Sequence, residues 1–255
     1  MKSLSLYVEK NSFVHQIDPI TKLFYIVFAI LVPIIWPNII VSAVCAFVSI
    51  MFLVLGKVFK NSLPVFGFVS FVLLTVVVIQ GLFGVDNKVI AFKIIGLTFY
   101  KEGLMNALAI VFRVLNIVAS FLILVLTTKP SDLVEDLVRK GLSPRIGYVI
   151  LSVFQIIPQM MSTVNTITDA QKSRGMETEG NLLVRMRAFI PLMGPVVLNS
   201  FINTKERAMA LEVRAFGSKT KRTFLNELKH YKFSLPIRLT MLIILVGVVI
   251  GRILL

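Results

Sequence analysis

The chain has 255 residues, of which 56% are hydrophobic and only 16% charged, with a mean hydropathy of +0.87. Soluble domains carry about a quarter charged residues, so this composition leaves too little polar surface to face water all round and excludes a soluble domain. The net charge of +14, from 27 Lys plus Arg against 13 Asp plus Glu, therefore reads as positive charge held on the cytoplasmic side of a membrane and paired with anionic lipids. A nucleic-acid partner is not expected, because the aromatic-and-basic spacing of an RNA-binding sheet is absent.

Met1 to Lys22 mixes polar and apolar residues without a compact apolar stretch before a small-residue cleavage site, so no cleaved signal peptide is expected. His15 and His230 lie far apart, each among polar residues, and read as solvated groups. Cys45 is the one cysteine, so neither a disulfide framework nor a Cys/His metal site is expected.

Uncharged stretches predict the spans. Leu23 to Trp36 is fourteen residues long, followed by a Pro37-Asn38 turn. Ile39 to Leu55, Leu63 to Val85, and Leu104 to Thr128 with Arg113 inside come next. Leu235 to Leu255 closes the chain, interrupted by Arg238 and Arg252. A span needs about 20 apolar residues, so the first must borrow from Ile17 to Lys22 or thin the bilayer locally.

Two shorter runs intervene. Ile146 to Met161 contains Pro158, and Ala188 to Ile202 contains Pro191 and Pro195. Both are read as buried or interfacial helices rather than spans. Lys57 and Lys60 in one loop, and most remaining positive charge between Thr128 and Leu235, place those segments and the N-terminus in the cytoplasm. The loop from Asp86 to Gly103 falls outside despite Lys88, Lys93 and Lys101, as does the C-terminus.

An internal echo marks the basic segment. Ile157-Pro158-Gln159-Met160 recurs as Ile190-Pro191-Leu192-Met193, and each is followed by an ending of the form Ala-x-x-x-Arg-small: Ala170 to Arg174-Gly175, and Ala210 to Arg214-Ala215. Pro158 to Arg174 is sixteen residues and Pro191 to Arg214 twenty-three, a difference close to two helical turns. The pattern predicts two proline-started arms of unequal length, closed by Gly175 and Gly217. Met161, Val164 and Ile167 give the first an apolar stripe, and Leu198, Ile202, Met209 and Val213 a looser one to the second. A single arginine at a helix end reads as a dipole contact worth about 0.3–1 kcal/mol. Two parallel endings point further, to bidentate pairing in acidic grooves of a cytoplasmic partner.

The chain resembles the transmembrane T component of energy-coupling-factor (ECF) ABC transporters for vitamins and metal ions. The matching residues are His15-x-x-Asp18-Pro19-x-Thr21-Lys22-Leu23, Glu102-Gly103-Leu104 with Arg113, and Thr127-Thr128-x-Pro130-x-Asp132-Leu133. The strongest are the paired X-Arg-X motifs, Ser173-Arg174-Gly175 and Val213-Arg214-Ala215. The second departs from the commoner Ala-Arg-Gly or Ala-Arg-Ser but keeps its arginine. The resemblance implies an all-α, polytopic helical membrane protein with about five spans and a cytoplasmic helical coupling region. Residues 1–128 would form an N-terminal transmembrane region of four spans, 129–232 the coupling helices, and 233–255 a C-terminal transmembrane helix. It also implies two cytoplasmic ABC ATPase subunits docked at the X-Arg-X motifs and a small membrane S component that binds the substrate. ATP would be bound by the ATPases, leaving this chain without a cofactor of its own.

Other motifs carry less. Gly217-Ser218-Lys219-Thr220 lacks the leading glycine, the Gly-Lys order and the preceding strand of a phosphate-binding loop. Asp132, Glu135 and Asp136 before Arg139-Lys140 read as helix-start carboxylates answered by basic residues in the last turn. Arg113, with Asn116 three residues on along the same face, would face protein or a water-filled crevice as a structural staple. A membrane-embedded lipid-modifying enzyme is the alternative reading, and a partner-free scaffold a third. The first needs polar residues clustered in the spans, where only Arg113, Asn116 and Gln80 stand out.

Overall fold

The computed structural model describes residues 6–83, 89–94, 97–176, 181–218 and 234–254. Lys88, Lys219, Thr220 and His230 lie outside them. Eight α-helices dominate: α1 (Pro19–Ile35), α2 (Ile39–Leu55), α3 (Phe59–Phe83), α4 (Lys101–Thr127), α5 (Pro130–Arg139), α6 (Pro144–Ser173), α7 (Leu182–Val213) and α8 (Ser234–Leu254). By length and composition α3, α4, α6 and α8 are long and apolar enough to cross a membrane, and α1 and α2 are shorter apolar helices.

Local chemistry sets the helix starts. Asp18 caps α1, its carboxylate accepting from the Ile20 N–H at 3.2 Å, and Pro19 takes the first helical position, where its missing N–H costs nothing. The first apolar stretch thus gains its extra turn from Pro19 to Lys22. Asn38 caps α2 in the same way, accepting from the Ile40 N–H at 3.0 Å.

Two expectations are corrected. Pro158, Pro191 and Pro195 do not open their helices: they lie inside α6 and α7, which run unbroken for 30 and 32 residues. The arms are therefore of nearly equal length. A proline inside a helix removes one hydrogen bond, at about 3 kcal/mol, and the helix-forming sequence on both sides outweighs it. Pro144, following Ser143, supplies the first-turn proline of α6 instead. The second correction concerns the loop before α4, which contains an antiparallel hairpin, β1 (Ile90–Ile94) and β2 (Leu97–Tyr100), with a bulge between Ile90 and Phe92. Glu102 of the Glu-Gly-Leu motif tethers its start, accepting from the Val89 N–H at 3.1 Å.

The described residues form two units. One contains 6–142 and 234–254, and the other 143–218. In the first, α4 runs against α1, α2 and α3, and α8 lies on α1. Small and polar residues recur in its interior, where Ala29, Ser42, Ala46, Ser49, Ala107, Asn116, Ala119 and Ser120 are nearly inaccessible beside a larger apolar cluster that includes Leu53 and Ile123. Many large apolar side chains point outward, with Phe47, Phe68 and Phe71 each about 70% exposed. Close approach of small residues, with bulky hydrocarbon on the outside, is how helices pack when the solvent is lipid. In the second unit α6 packs on α7.

Candidate functional site

The two arginines predicted to matter occupy matching positions. Arg174 is the C-cap of α6 with φ −89° and ψ 8°, and Arg214 the C-cap of α7 with φ −83° and ψ 10°. Beyond Arg174, the Gly175 N–H donates to the Lys172 carbonyl at 2.9 Å and the Met176 N–H to the Gln171 carbonyl at 3.1 Å. Beyond Arg214, the Ala215 N–H donates to Glu212 at 2.9 Å and the Phe216 N–H to Leu211 at 3.0 Å. Both are complete Schellman closures, which need a left-handed residue just after the cap. Gly175 has φ +87° and Ala215 φ +55°. The residue that turns the chain at the second end is therefore Ala215, not Gly217.

The closures leave both motifs open to a partner. Ser173, Arg174, Gly175, Val213, Arg214 and Ala215 are all exposed, and Val213 is 88% accessible despite being apolar. Neither guanidinium has an ion pair or hydrogen bond among the described residues. Exposed apolar surface beside an unpaired arginine is the composition of an interface centre.

Contacts between α6 and α7 fix where the two motifs lie. Phe216 packs edge-on against Tyr148 with ring centroids 5.1 Å apart. Arg207 donates to the Gln159 side chain at 2.5 Å. Farther along, Thr163, Val196 and Ser200 line one cleft between the two helices. As the α6 number rises the α7 number falls, so the helices are antiparallel. Arg214 thus lies at the start of α6, and Arg174 lies at its far end, roughly 40 Å away at 1.5 Å per residue.

In the other unit, two polar contacts join the family-like motifs. Lys22, only 4% exposed, donates through Nζ to the Thr127 carbonyl and to Thr128 Oγ1, each at 3.1 Å. The Asp-Pro-x-Thr-Lys and Thr-Thr-x-Pro stretches, separate in sequence, meet there. Asp18 is paired with Arg238 of α8 and lies 3.5 Å from Lys140. Arg238 Nε also donates to Thr21 Oγ1 at 2.7 Å. Sequence reasoning missed this junction: Arg238 registered only as an interruption in an apolar run, and nothing local pairs it with Asp18.

Arg113 is partly buried, and its Nε has no hydrogen-bond partner among the described residues. Its neighbour Asn116 is fully buried. Asn116 accepts from Ser49 Oγ at 2.6 Å and donates to the Ala29 carbonyl at 2.6 Å. Ser49 in turn contacts the Tyr25 hydroxyl at 2.6 Å. One amide therefore bonds α4 to α1 and α2.

His15 is not a solvated group. Its Nδ1 lies 2.7 Å from Ser12 Oγ and its Nε2 3.0 Å from the Val8 carbonyl. The neutral ring with the proton on Nε2 satisfies both, and burial holds its pKa below the ordinary histidine value. In α5, Arg139 pairs with Glu135 at 2.6 Å and Asp132 sits in the first turn, the helix-end arrangement expected. Burial pushes the Asp136 carboxyl up. Among the described residues no cluster of three or more His, Cys, Asp or Glu side chains could hold a metal ion.

Residues 10–224 match the family model CbiQ, described as a cobalt transport protein. The chain is similar to the energy-coupling factor transporter transmembrane protein EcfT of Staphylococcus aureus, 31% identical, the match covering 93% of this chain and 91% of that one. It is 28% identical to the EcfT of Lactococcus lactis, over 88% and 87% of the two chains. It is 29% identical to that of Streptococcus equi, over 97% and 93%. This multi-pass membrane protein belongs to the CbiQ family, among the energy-coupling factor transporter transmembrane proteins, and is a non-catalytic transporter subunit.

Proposed function

We propose that the chain is the coupling subunit of an ECF-type importer, carrying ATP-driven motion from two cytoplasmic ATPases to a substrate-binding S component for vitamin or metal-ion uptake. The observation that carries this reading is the pair of exposed arginine caps, without a partner among the described residues, at opposite ends of an antiparallel helix pair. Two sites separated by roughly a helix length suit two partner subunits better than one groove. A planar guanidinium on a closed helix end can reach a carboxylate bidentately, which an ammonium cannot. Residues 129–232, which include α6 and α7, are the cytoplasmic coupling segment in this reading, lying against anionic lipid with the N-terminus on the same side. Docking both ends would make the helix pair a lever: as the ATPases close on ATP, the ends move together and the S component on the membrane side reorients.

Replacing Arg174 and Arg214 together by Ala should abolish co-purification of the ATPases and substrate uptake, with each single change milder. Loss of one partner from a buried charge pair costs about 2–5 kcal/mol. Wild-type uptake in the double variant would refute the reading.

A further inference from the structure

The residues flanking the coupling segment converge on one carboxylate. Lys140 ends α5, four residues before α6 begins at Pro144. Arg238 lies in the first turns of α8, four residues after its start at Ser234. The chain therefore leaves the unit that contains α1 just after Lys140 and has returned to it by Arg238. Both cations reach Asp18, the N-cap of α1, whose side chain is 8% exposed. Arg238 is held more firmly, by Asp18 through Nη2 and by Thr21 through Nε at 2.7 Å. Its guanidinium also lies over the Phe24 ring at 5.9 Å.

We infer that Asp18 is a positioning residue for coupling: it ties the exit and the return of the coupling segment to the first membrane helix, so that motion of the segment is delivered to the helix bundle instead of being lost at its ends. This rests on the coupling reading above. A carboxylate this buried needs compensating charge, and the two cations that supply it lie on the α5 and α8 ends. Pulling either end away leaves Asp18 under-compensated, so the ends move with α1. The remaining capping contact, from the Ile20 N–H, holds the carboxylate in place within α1 itself. Asp18 is thus fixed on one element and bound to two others.

The test uses the assembled transporter in proteoliposomes, with Asp18→Asn, Arg238→Gln, Lys140→Gln and the Asp18→Asn/Arg238→Gln pair. Asparagine keeps the cap and removes only the charge. The single variants are expected to retain the ATPases and hydrolyse ATP near the wild-type rate. Uptake per ATP should fall about tenfold for Asp18→Asn and Arg238→Gln, within the usual range of coupling between sites, and less for the more distant Lys140→Gln. The pair should be no worse than the worse single change, because both remove the same contact. Unchanged uptake per ATP would overturn the inference. So would losses that multiply in the pair, or loss of assembly in all the single variants, which would make Asp18 a folding anchor only. Failure of the underlying coupling reading is distinguishable, since it would appear as normal uptake in the Arg174→Ala/Arg214→Ala variant whatever Asp18 does.

Discussion

Arg174 and Arg214 cap their helices with backbone angles that agree within 6° in φ and 2° in ψ, and each is followed by a left-handed residue. The same closure presents both guanidinium groups beyond the last helical turn, one at each end of the helix pair. The local sequences differ on both sides of the arginine, so the shared element is geometric: an exposed cation on a chain that turns sharply back.

That geometry makes the residue after each arginine predictable. Gly175→Ala places a Cβ in open space but at φ +87°, so its cost is backbone strain, about 1–2 kcal/mol. Ala215→Gly relieves the same strain and should stabilise the end of α7 by about 1 kcal/mol. Hydrogen exchange at the Met176 and Phe216 amides reads both: faster at the first, slower at the second. The opposite signs would refute the cap assignment.

Asn116→Leu removes the amide that joins three helices, leaving the Ala29 carbonyl without its side-chain donor and the Ser49 hydroxyl bonded to Tyr25 alone. Interhelical hydrogen bonds in membranes contribute about 0.6–2 kcal/mol, and this amide makes two. The expected result is a loss of about 1–3 kcal/mol, measured by denaturant unfolding in mixed micelles.

Trp36 is the only tryptophan, and it reports on α8. A Cβ built on Gly251 would lie 3.0 Å from its ring, so the indole sits on the bare backbone of that helix. Gly251→Leu should displace the ring and shift its emission, with loosened contact between α1 and α8. Emission identical to the wild type would contradict that packing.

His15 gives the fold before α1 a pH dependence. Burial lowers its folded pKa from 6.5, so the folded form binds a proton less readily than the unfolded chain. The stability it contributes is complete above pH 6.5 and declines as pH falls through that value toward the lower folded pKa. Amides of residues 8–16 should exchange faster, relative to intrinsic rates, at about pH 5.5 than at about pH 7.5. His15→Gln, which keeps a donor for the Val8 carbonyl, should remove that dependence.

Local features were legible in the sequence, and distant pairings were not. Apolar runs of near-spanning length identify α1 to α4 and α8 without further information, because lipid demands long continuous helices. The two arginine endings are also local, so their repetition could be seen. Pro158, Pro191 and Pro195 misled because proline favours first turns, whereas long helices here enclose it. The hairpin before α4 was obscured by a loop too apolar to show strand alternation. Asp18 and Arg238 are 220 residues apart, and only the folding of α8 onto α1 brings them together. His15 looked solvated because its partners, Ser12 and the Val8 carbonyl, depend on a turn that composition does not reveal.

Photo-cross-linking from both helix ends shows whether each arginine end docks its own ATPase. A photoreactive residue is placed at position 173, at position 213, or at both, in the chain expressed with its transporter partners. An adduct with one ATPase is expected from each single position and, from the doubly labelled chain, an adduct carrying two ATPase subunits. Adducts with lipid alone, or a doubly labelled chain that never captures more than one ATPase, would contradict it.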